Sequence, residues 1–471
     1  MASTKSNIIW SKYQEDIFNN VANGVGNTAI IARAGSAKTT TLVESVRRVK
    51  KGNKILVVAF NKHIQSEIAS KLPANVECMT LHSLGFRAVR MKFGSTLNEY
   101  KTHDIVKSIL NKKDYDLTNE LCRTVSFCKN TLSDTPEKIG DIIDQYNIET
   151  FTLSREEFIQ HVSLILRKCK DKTDEIDYDD MIWFPFVFNL NPGKWDYVFI
   201  DEMQDLNLSQ LVLALSTRKK NTRIFVALDD HQAIYGWRGA DFETVNELVE
   251  KLEPVRLPLP ICYRCPTGVV KLAQKFVPDI EPFDKNKAGN ISYITDKDFL
   301  KQVKKGDVVL SRTNAALVKF CFKLLKQGVP ANIQGRDIGG NLLSFLKKSK
   351  ASTIKDLLSY ISVYQKEETS RLRASGKRVD HVIDKCECLI NLAEECSSIK
   401  ELQQSIKDLF EDVKNNDLVL FSTIHSFKGK EANTVYLFAW TVNQSSTEEK
   451  NINYVGLTRT KSDLIFVSKE K

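Results

Sequence analysis

The side chains with the clearest chemical potential lie in residues 28–42, TAIIARAGSAKTTTL. Lys38 offers a full positive charge, and the Thr39 hydroxyl can ligate Mg²⁺. Both follow a loop of mostly small residues, Ala32-Arg33-Ala34-Gly35-Ser36-Ala37. In such a loop successive backbone N–H groups and the positive end of the next helix face an anion. The run Ala29-Ile30-Ile31 has the length and branching of a buried strand, and Leu42, Val43, Val46 and Val49 recur at helical spacing. Strand, tight loop and helix together suit the phosphates of a nucleotide. Ala32 and Ala37 occupy both glycine positions of G-x-x-x-x-G-K-[ST]. At position 37 a Cβ either crowds the phosphates or is tolerated because the residue keeps helical dihedrals.

A second group supplies acid chemistry. Asp201-Glu202 follow the apolar run 197–200. Beside a phosphate loop, one carboxylate can hold Mg²⁺ and the next can take the proton of an attacking water. Gln232 ends the following apolar run, where it could touch a γ-phosphate. Tyr235-Gly236-Trp237-Arg238 then sets two rings and a cation on one loop, suited to base stacking or simply packed beneath it. Downstream, Arg264 and Arg459 could each reach a phosphoryl group or serve as an ordinary surface or salt-bridge residue. Gln14 has an amide able to pair with an adenine edge, but alone reads as a surface residue.

These residues need elements to position them. Apolar runs at 29–31, 55–60, 76–79, 197–200 and 224–228 read as strands separated by helices, each ending in polar residues. That pattern predicts a parallel sheet covered on both faces, with ligands at the carboxyl ends of its strands. Residues 83–192 read as a charged, helical insertion. The acidic stretch Asp177-Tyr178-Asp179-Asp180 within it reads as a solvated helix start. Pro254, Pro258, Pro260 and Pro266 are four of only eleven prolines, which marks this region as the interdomain crossing. A second strand set is expected at 307–311, 418–422, 435–439 and 464–467. From about 340 to 416 the pattern is helical with a basic tip, a small mobile insertion whose Arg371, Arg373, Lys377 and Arg378 read as a solvated loop.

Length and composition agree with several folding units in a soluble, intracellular, non-secreted protein. The chain has 471 residues, 42% hydrophobic and 27% charged, without a run of membrane-spanning length. Its ten cysteines lack framework spacing; Cys262-x-x-Cys265 and Cys386-x-Cys388 are isolated pairs and read as free thiols. The formal charge of +9 leans toward a polyanionic partner.

In order along the chain, AGSAKTT, TLHS, DEMQD, DDHQAIYGWRGA, YR, TIHSFKGKE and YVGLTRT resemble the motif set of superfamily 1 DNA helicases of the UvrD/Rep type. The stretches VVAFNKHIQSEI and NVECMTLHSLGF are closer to the helicase core of the F-box DNA helicase group, although no F-box segment is evident. The resemblance implies an α/β fold of two RecA-like P-loop NTPase domains with parallel sheets, each carrying a helical insertion. Domain 1A would comprise 1–85 and 190–254, insertion 1B 86–189, domain 2A 255–340 and 416–471, and a small 2B-like insertion 341–415.

The same resemblance implies ATP and Mg²⁺ as cofactors. Ala34, Gly35, Ser36, Ala37, Lys38, Thr39 and Thr40 would surround the phosphates, with Thr39 and Asp201 on the metal and Glu202 as base. Gln232, Arg264 and Arg459 would sense the γ-phosphate. Gln14 would read adenine, Tyr263 stack on it, and Glu431 lie near the ribose. Phe60, Asn61, His82, Tyr235, Trp237, Arg238, Thr423 and His425 would contact DNA. Thr40 stands where UvrD-type enzymes place an arginine against the base. The implied activity is a DNA-stimulated ATPase and helicase or translocase moving 3′→5′ on single-stranded DNA, engaging junctions or tailed duplexes, in replication, repair or recombination. No membrane partner is implied; replication or repair proteins are, and a monomer is compatible. The alternatives are a translocase that strips proteins with little unwinding, a DNA clamp with weak hydrolysis, and an RNA-directed motor. The chain runs twelve residues past Arg459, so no fused nuclease is expected.

Overall fold

A computed structural model describes residues 8–110, 115–146, 148–151, 153–235, 242–374, 379–410 and 417–470. The chain divides into two compact units, Met1–Pro260 and Ile261–Lys471.

In the first unit, six strands form one sheet: β1 (Thr28–Ala32), β2 (Ile55–Ala59), β3 (Val76–Thr80), β4 (Trp195–Ile200), β5 (Arg218–Leu228) and β6 (Val255–Leu259). Their order is β3-β2-β4-β5-β1-β6, and every pairing is parallel. Neighbouring residues within a strand serve opposite cores. Val57, Phe199 and Phe225 pack with Ile17, Leu42 and Val46 on one face, while Val58, Ile200 and Val226 pack with Leu84 and Leu211 on the other. This is why the strands read as unbroken apolar runs rather than alternating ones.

Two expectations for this unit change. The expected boundary places 255–259 in the second domain; instead they form β6, paired with β1, with Ile31 opposite Pro258. The proline is accommodated because β6 is an edge strand. The stretch at 177–180 is not a solvated helix start. Asp177 caps the helix Tyr178–Val187, and Asp180 is fully buried. Lys101 Nζ lies 2.7 Å from Asp180 Oδ2, and Lys129 Nζ 2.9 Å from Asp177 Oδ2 and 2.8 Å from Asp180 Oδ1. Around them, helices from Lys101 to Val187 enclose a core containing Leu121, Phe158, Val162 and Ile165.

The second unit has its own six-stranded sheet: β7 (Asn290–Thr295), β8 (Val308–Ser311), β9 (Ala331–Ile333), β10 (Val419–Thr423), β11 (Ala432–Phe438) and β12 (Thr460–Ser468). The order is β7-β12-β11-β8-β10-β9, again all parallel. Strands β7 and β9 add to the four expected strands; both lie at sheet edges, and β9 has three residues. The helices Ile354–Ala374, Asp380–Ala393 and Ile399–Leu409 are not a separate mobile insertion. Ile361, Leu389 and Ile406 belong to the same core as Val309, Phe421 and Phe438. Arg371 and Arg373 lie in the first of these helices, with Arg371 on Glu368; Lys377 and Arg378 fall outside the described residues.

All ten cysteines are free. Among the described residues no helix is long and apolar enough to cross a membrane.

Candidate active site

In the first unit the expected strand, tight loop and helix form at the carboxyl end of β1. The loop turns through Gly35 at φ +70° and then Ala37 at φ +58°, and the helix Lys38–Arg48 begins at once. Ala37 therefore does not keep right-handed helical dihedrals; it takes the left-handed form that an L residue adopts at a cost of about 1–2 kcal/mol. Strain of this kind collects at sites where the surroundings fix the backbone. Glu202, at the end of β4, is also left-handed, at φ +53°.

These two strained positions bracket the charged cluster. Lys38 Nζ donates to Glu202 Oε2 at 2.5 Å and stands 3.9 Å from Asp201 Oδ1. Burial works against the Lys38 charge, yet Glu202 and Asp201 outweigh it and raise its pKa. Thr39 Oγ1 donates to Asp201 Oδ2 at 3.3 Å. Burial pushes the Asp201 carboxyl up to about 6, against the pull of Lys38. The sequence thus brings Lys38, Thr39, Asp201 and Glu202 together from two strand ends.

A relay not foreseen from sequence continues from there. Gln204 Nε2 donates to Glu202 Oε2 at 2.5 Å, while its Oε1 accepts the Asp229 N–H at 3.0 Å. Asp229 Oδ2 accepts from Gln232 Nε2 at 2.6 Å, and Arg33 Nη1 lies 3.6 Å from Asp229 Oδ1. Arg33 also donates to Asp230 at 2.7 Å. Burial raises the Asp229 pKa, opposed by Arg33. Arg33, Gln204 and Asp229 all sit inside quoted motifs; only their burial, invisible in a single sequence, separates them from spacers.

The remaining expected residues of this unit are dispersed around that centre. Gln14 is buried in the cap of its helix: its Oε1 accepts from Ser11 N at 3.0 Å, and its Nε2 donates to Thr41 Oγ1 at 2.9 Å. Thr40 is exposed. Asn61 caps the helix Lys62–Ala69, and Phe60 is half-buried against the sheet core. His82 follows β3 and stands edge-on to Tyr178; burial lowers its pKa. Tyr235 is half-buried, and Trp237 and Arg238 lie outside the described residues.

The second unit assembles its own group. Arg264 Nε pairs with Glu431 Oε2 at 2.7 Å, and Lys461 Nζ lies 3.4 Å from the other oxygen of Glu431. Arg459 is 1% exposed; its Nε donates to the Val455 carbonyl at 2.8 Å and its Nη2 to Thr458 Oγ1 at 3.1 Å. Tyr263 packs on Phe283 with ring centres 4.9 Å apart. Thr423 caps a short helix and donates to Ser426 Oγ at 3.0 Å; His425 follows it, half-buried. Thr80 and Ser83 repeat that bond at 2.9 Å, so TLHS and TIHS build the same cap at the ends of β3 and β10.

The model of the UvrD/REP helicase N-terminal domain matches residues 13–253, just over half of the chain, and a UvrD-like helicase C-terminal domain matches residues 418–467. The chain belongs to the UvrD/REP helicase family. ATP-dependent DNA helicase Rep of Buchnera aphidicola subsp. Schizaphis graminum is 25% identical over 395 residues, covering 71% of this chain and 57% of that protein. F-box DNA helicase protein 1 of Schizosaccharomyces pombe is 29% identical over 242 residues, 46% of this chain and 27% of its own length. ATP-dependent DNA helicase PcrA of Bacillus subtilis is 24% identical over 253 residues, 47% and 33% respectively. This family member thus spans less than two thirds of the length of each of these relatives. The family match and the Lys38–Asp201–Glu202 cluster fall in the same stretch of chain.

Proposed function

We propose that this chain is an ATP-hydrolysing motor that moves 3′→5′ along single-stranded DNA and opens duplexes. The observation that carries the reading is the Lys38–Glu202 bond with Asp201 and Thr39 beside it, at the carboxyl ends of parallel strands. Names of the relatives support DNA as the polymer.

The donor set fits a nucleotide phosphate and Mg²⁺. Ser36 Oγ is buried in the loop and has no hydrogen-bond partner among the described residues, so it is a spare group for an incoming oxygen. Thr39 and Asp201 supply one hydroxyl and one carboxylate, the sparse protein set that suits Mg²⁺ when phosphates and waters complete its shell. No cluster of three or more His, Cys, Asp or Glu with metal-holding geometry occurs among the described residues. Bound there, Mg²⁺ would neutralise developing phosphate charge.

The chain's own residues do the rest. Lys38 trades Glu202 for a phosphate oxygen, and Glu202, still held by Gln204, becomes the acceptor for the proton of attacking water. Gln204 and Asp229 link that carboxylate to Gln232, so loss of the γ-phosphate is felt at the end of β5, next to Tyr235. The capped His82 turn faces single-stranded DNA in this reading. Strand displacement on 3′- and 5′-tailed duplexes tests it. We expect activity on the 3′ tail alone, abolished by Lys38→Ala. Equal activity on both tails refutes the polarity, and a fully active mutant refutes the assigned site.

A further inference from the structure

Opposite the phosphate loop, the amino-terminal edge of the first sheet carries a feature that the helicase reading leaves unused. A cavity of about 830 Å³ opens where β4, β5 and β1 begin, lined by Asn27, Asn191, Lys194, Arg218, Lys219 and Lys220 among others. Its described lining residues include no carboxylate and only two apolar side chains, Leu190 and Leu215.

The topology extends the charge sideways. Lys50, Lys51 and Lys54 are exposed in the connection leading to β2, the strand next to β4. Asp196 ties the two regions together, accepting the Lys54 N–H at 2.9 Å and Lys219 Nζ at 2.7 Å. Two acids at this edge are already satisfied: Asp196 by Lys219, and Glu77 by Arg87 at 2.9 Å. Lys50, Lys51 and Lys220 make no ion pair among the described residues. The five residues of β1 span about 17 Å, so this edge lies roughly that far from the phosphate loop.

We infer that this edge is a second nucleic-acid surface that takes the phosphodiester backbone without reading sequence. Exposed cations interleaved with asparagine, serine and threonine donors are the groups that hold phosphates and sugars. An acidic protein partner is the weaker fit, because the edge offers few apolar anchors of the kind that fill the centre of a protein interface. Placement at the far end of the strands separates this contact from the capped turn after β3, which the reading above turns toward the single strand. It gives a motor a hold on a second stretch of the same substrate. The inference rests on the DNA-motor reading above.

The test uses the full chain with Lys50→Glu, Lys51→Glu and Lys220→Glu combined, and a Gln version of the same triple as a milder charge change. Fluorescence anisotropy follows a labelled blunt duplex and a labelled single strand through a salt titration. Each phosphate contact contributes a slope of about 0.9 on duplex and about 0.7 on single strand, so removing three should flatten it by about 2–3. Affinity at low salt should fall about tenfold or more, with a smaller fall for the Gln version. ATP turnover at saturating single strand should stay at the wild-type level. A loss confined to duplex assigns the edge to paired DNA, and a loss confined to single strand assigns it to an unpaired tail. Unchanged slopes on both probes overturn the inference while leaving the motor reading intact. Polyglutamate competing as strongly per charge as unlabelled duplex also overturns it, in favour of an acidic protein. A wild-type chain that binds neither probe overturns both readings.

Discussion

Replacing Lys129 by methionine should be among the most damaging conservative changes in the chain. The Lys129 ammonium is buried between Asp177 and Asp180 at 0% exposure and lies 5.7 Å from the Trp183 ring centre. With Lys101 on Asp180, the two lysines pair with two carboxylates, while burial pushes the neighbouring Asp179 up to about 6. Methionine fills the volume of the lysine stem and leaves one buried negative charge uncompensated, which costs about 3–5 kcal/mol. Asp177→Asn alone leaves the opposite imbalance. It keeps the helix cap, since asparagine caps as well as aspartate and Asp177 Oδ1 now accepts the Asp180 N–H at 2.8 Å. The double variant restores neutrality, so its cost should fall well below the sum of the singles, with a coupling of about 2–3 kcal/mol. Hydrogen exchange of residues 178–187 with a urea titration reads these values locally and globally. pH supplies a second check. Burial raises the Asp177 pKa, but Lys129 and Thr102 outweigh it and hold it below the ordinary value. Its stabilisation is therefore present above the unfolded pKa near 3.9 and is lost as pH falls through the lower folded value. Lys129→Met should erase that acid-dependent component. A cost under about 1 kcal/mol, or strictly additive singles, would refute the reasoning about buried charge balance.

Ala37→Gly should stabilise the first unit, because glycine adopts φ +58° without the Cβ penalty; the gain is at most about 1 kcal/mol after the extra freedom of the unfolded chain. Differential scanning calorimetry should show a rise of about 2–4 °C, and a lowered midpoint would show that the left-handed turn is not strained. Asp201, raised to about 6 by burial, holds its proton in the folded state where the unfolded carboxyl has lost it. Its contribution to stability therefore falls as pH rises from about 4 to 6 and is flat above that. Mg²⁺ needs the ionised form, so stabilisation by Mg²⁺ with ATP should grow through pH 6 and vanish with EDTA. Melting curves at pH 5, 6 and 7 check this, with Asp201→Asn expected to remove the pH step.

The two sheets were legible because parallel strands buried on both faces leave continuous apolar runs, such as ILVVA in β2, all five residues of which are buried. The chemistry was legible where polar residues follow such runs directly, as Lys38 follows the loop after β1 and Asp201-Glu202 follow β4. Edge strands were harder. β6 is mostly exposed and contains Pro258, so composition pointed to a crossing; yet a proline between apolar residues of a short extended run is itself the mark of an edge strand. Polar residues that become buried were illegible for a different reason. Asp177, Asp180, Lys101 and Lys129 are ordinary surface types, and their partners lie 48–79 positions away. Pairing at that separation follows from tertiary packing, which has no local signature.

Ala37 and Glu202 show where local rules give way to the site. Neither residue type favours positive φ, and each would relax if free. Their side chains and neighbours explain why they do not. The turn at Ala37 starts the helix with Lys38 at its first position, and the turn at Glu202 swings its carboxylate back onto the Lys38 ammonium. Thr41 N–H then bonds the Ala37 carbonyl at 2.9 Å, and Gln204 fixes Glu202 from the other side. The strain is held by bonds on both flanks, so the charged pair is positioned by backbone that cannot relax without breaking them. Two strained residues joined by one short ion pair therefore mark the centre of the unit more sharply than the motif spelling does, since that spelling lacks both of its glycines.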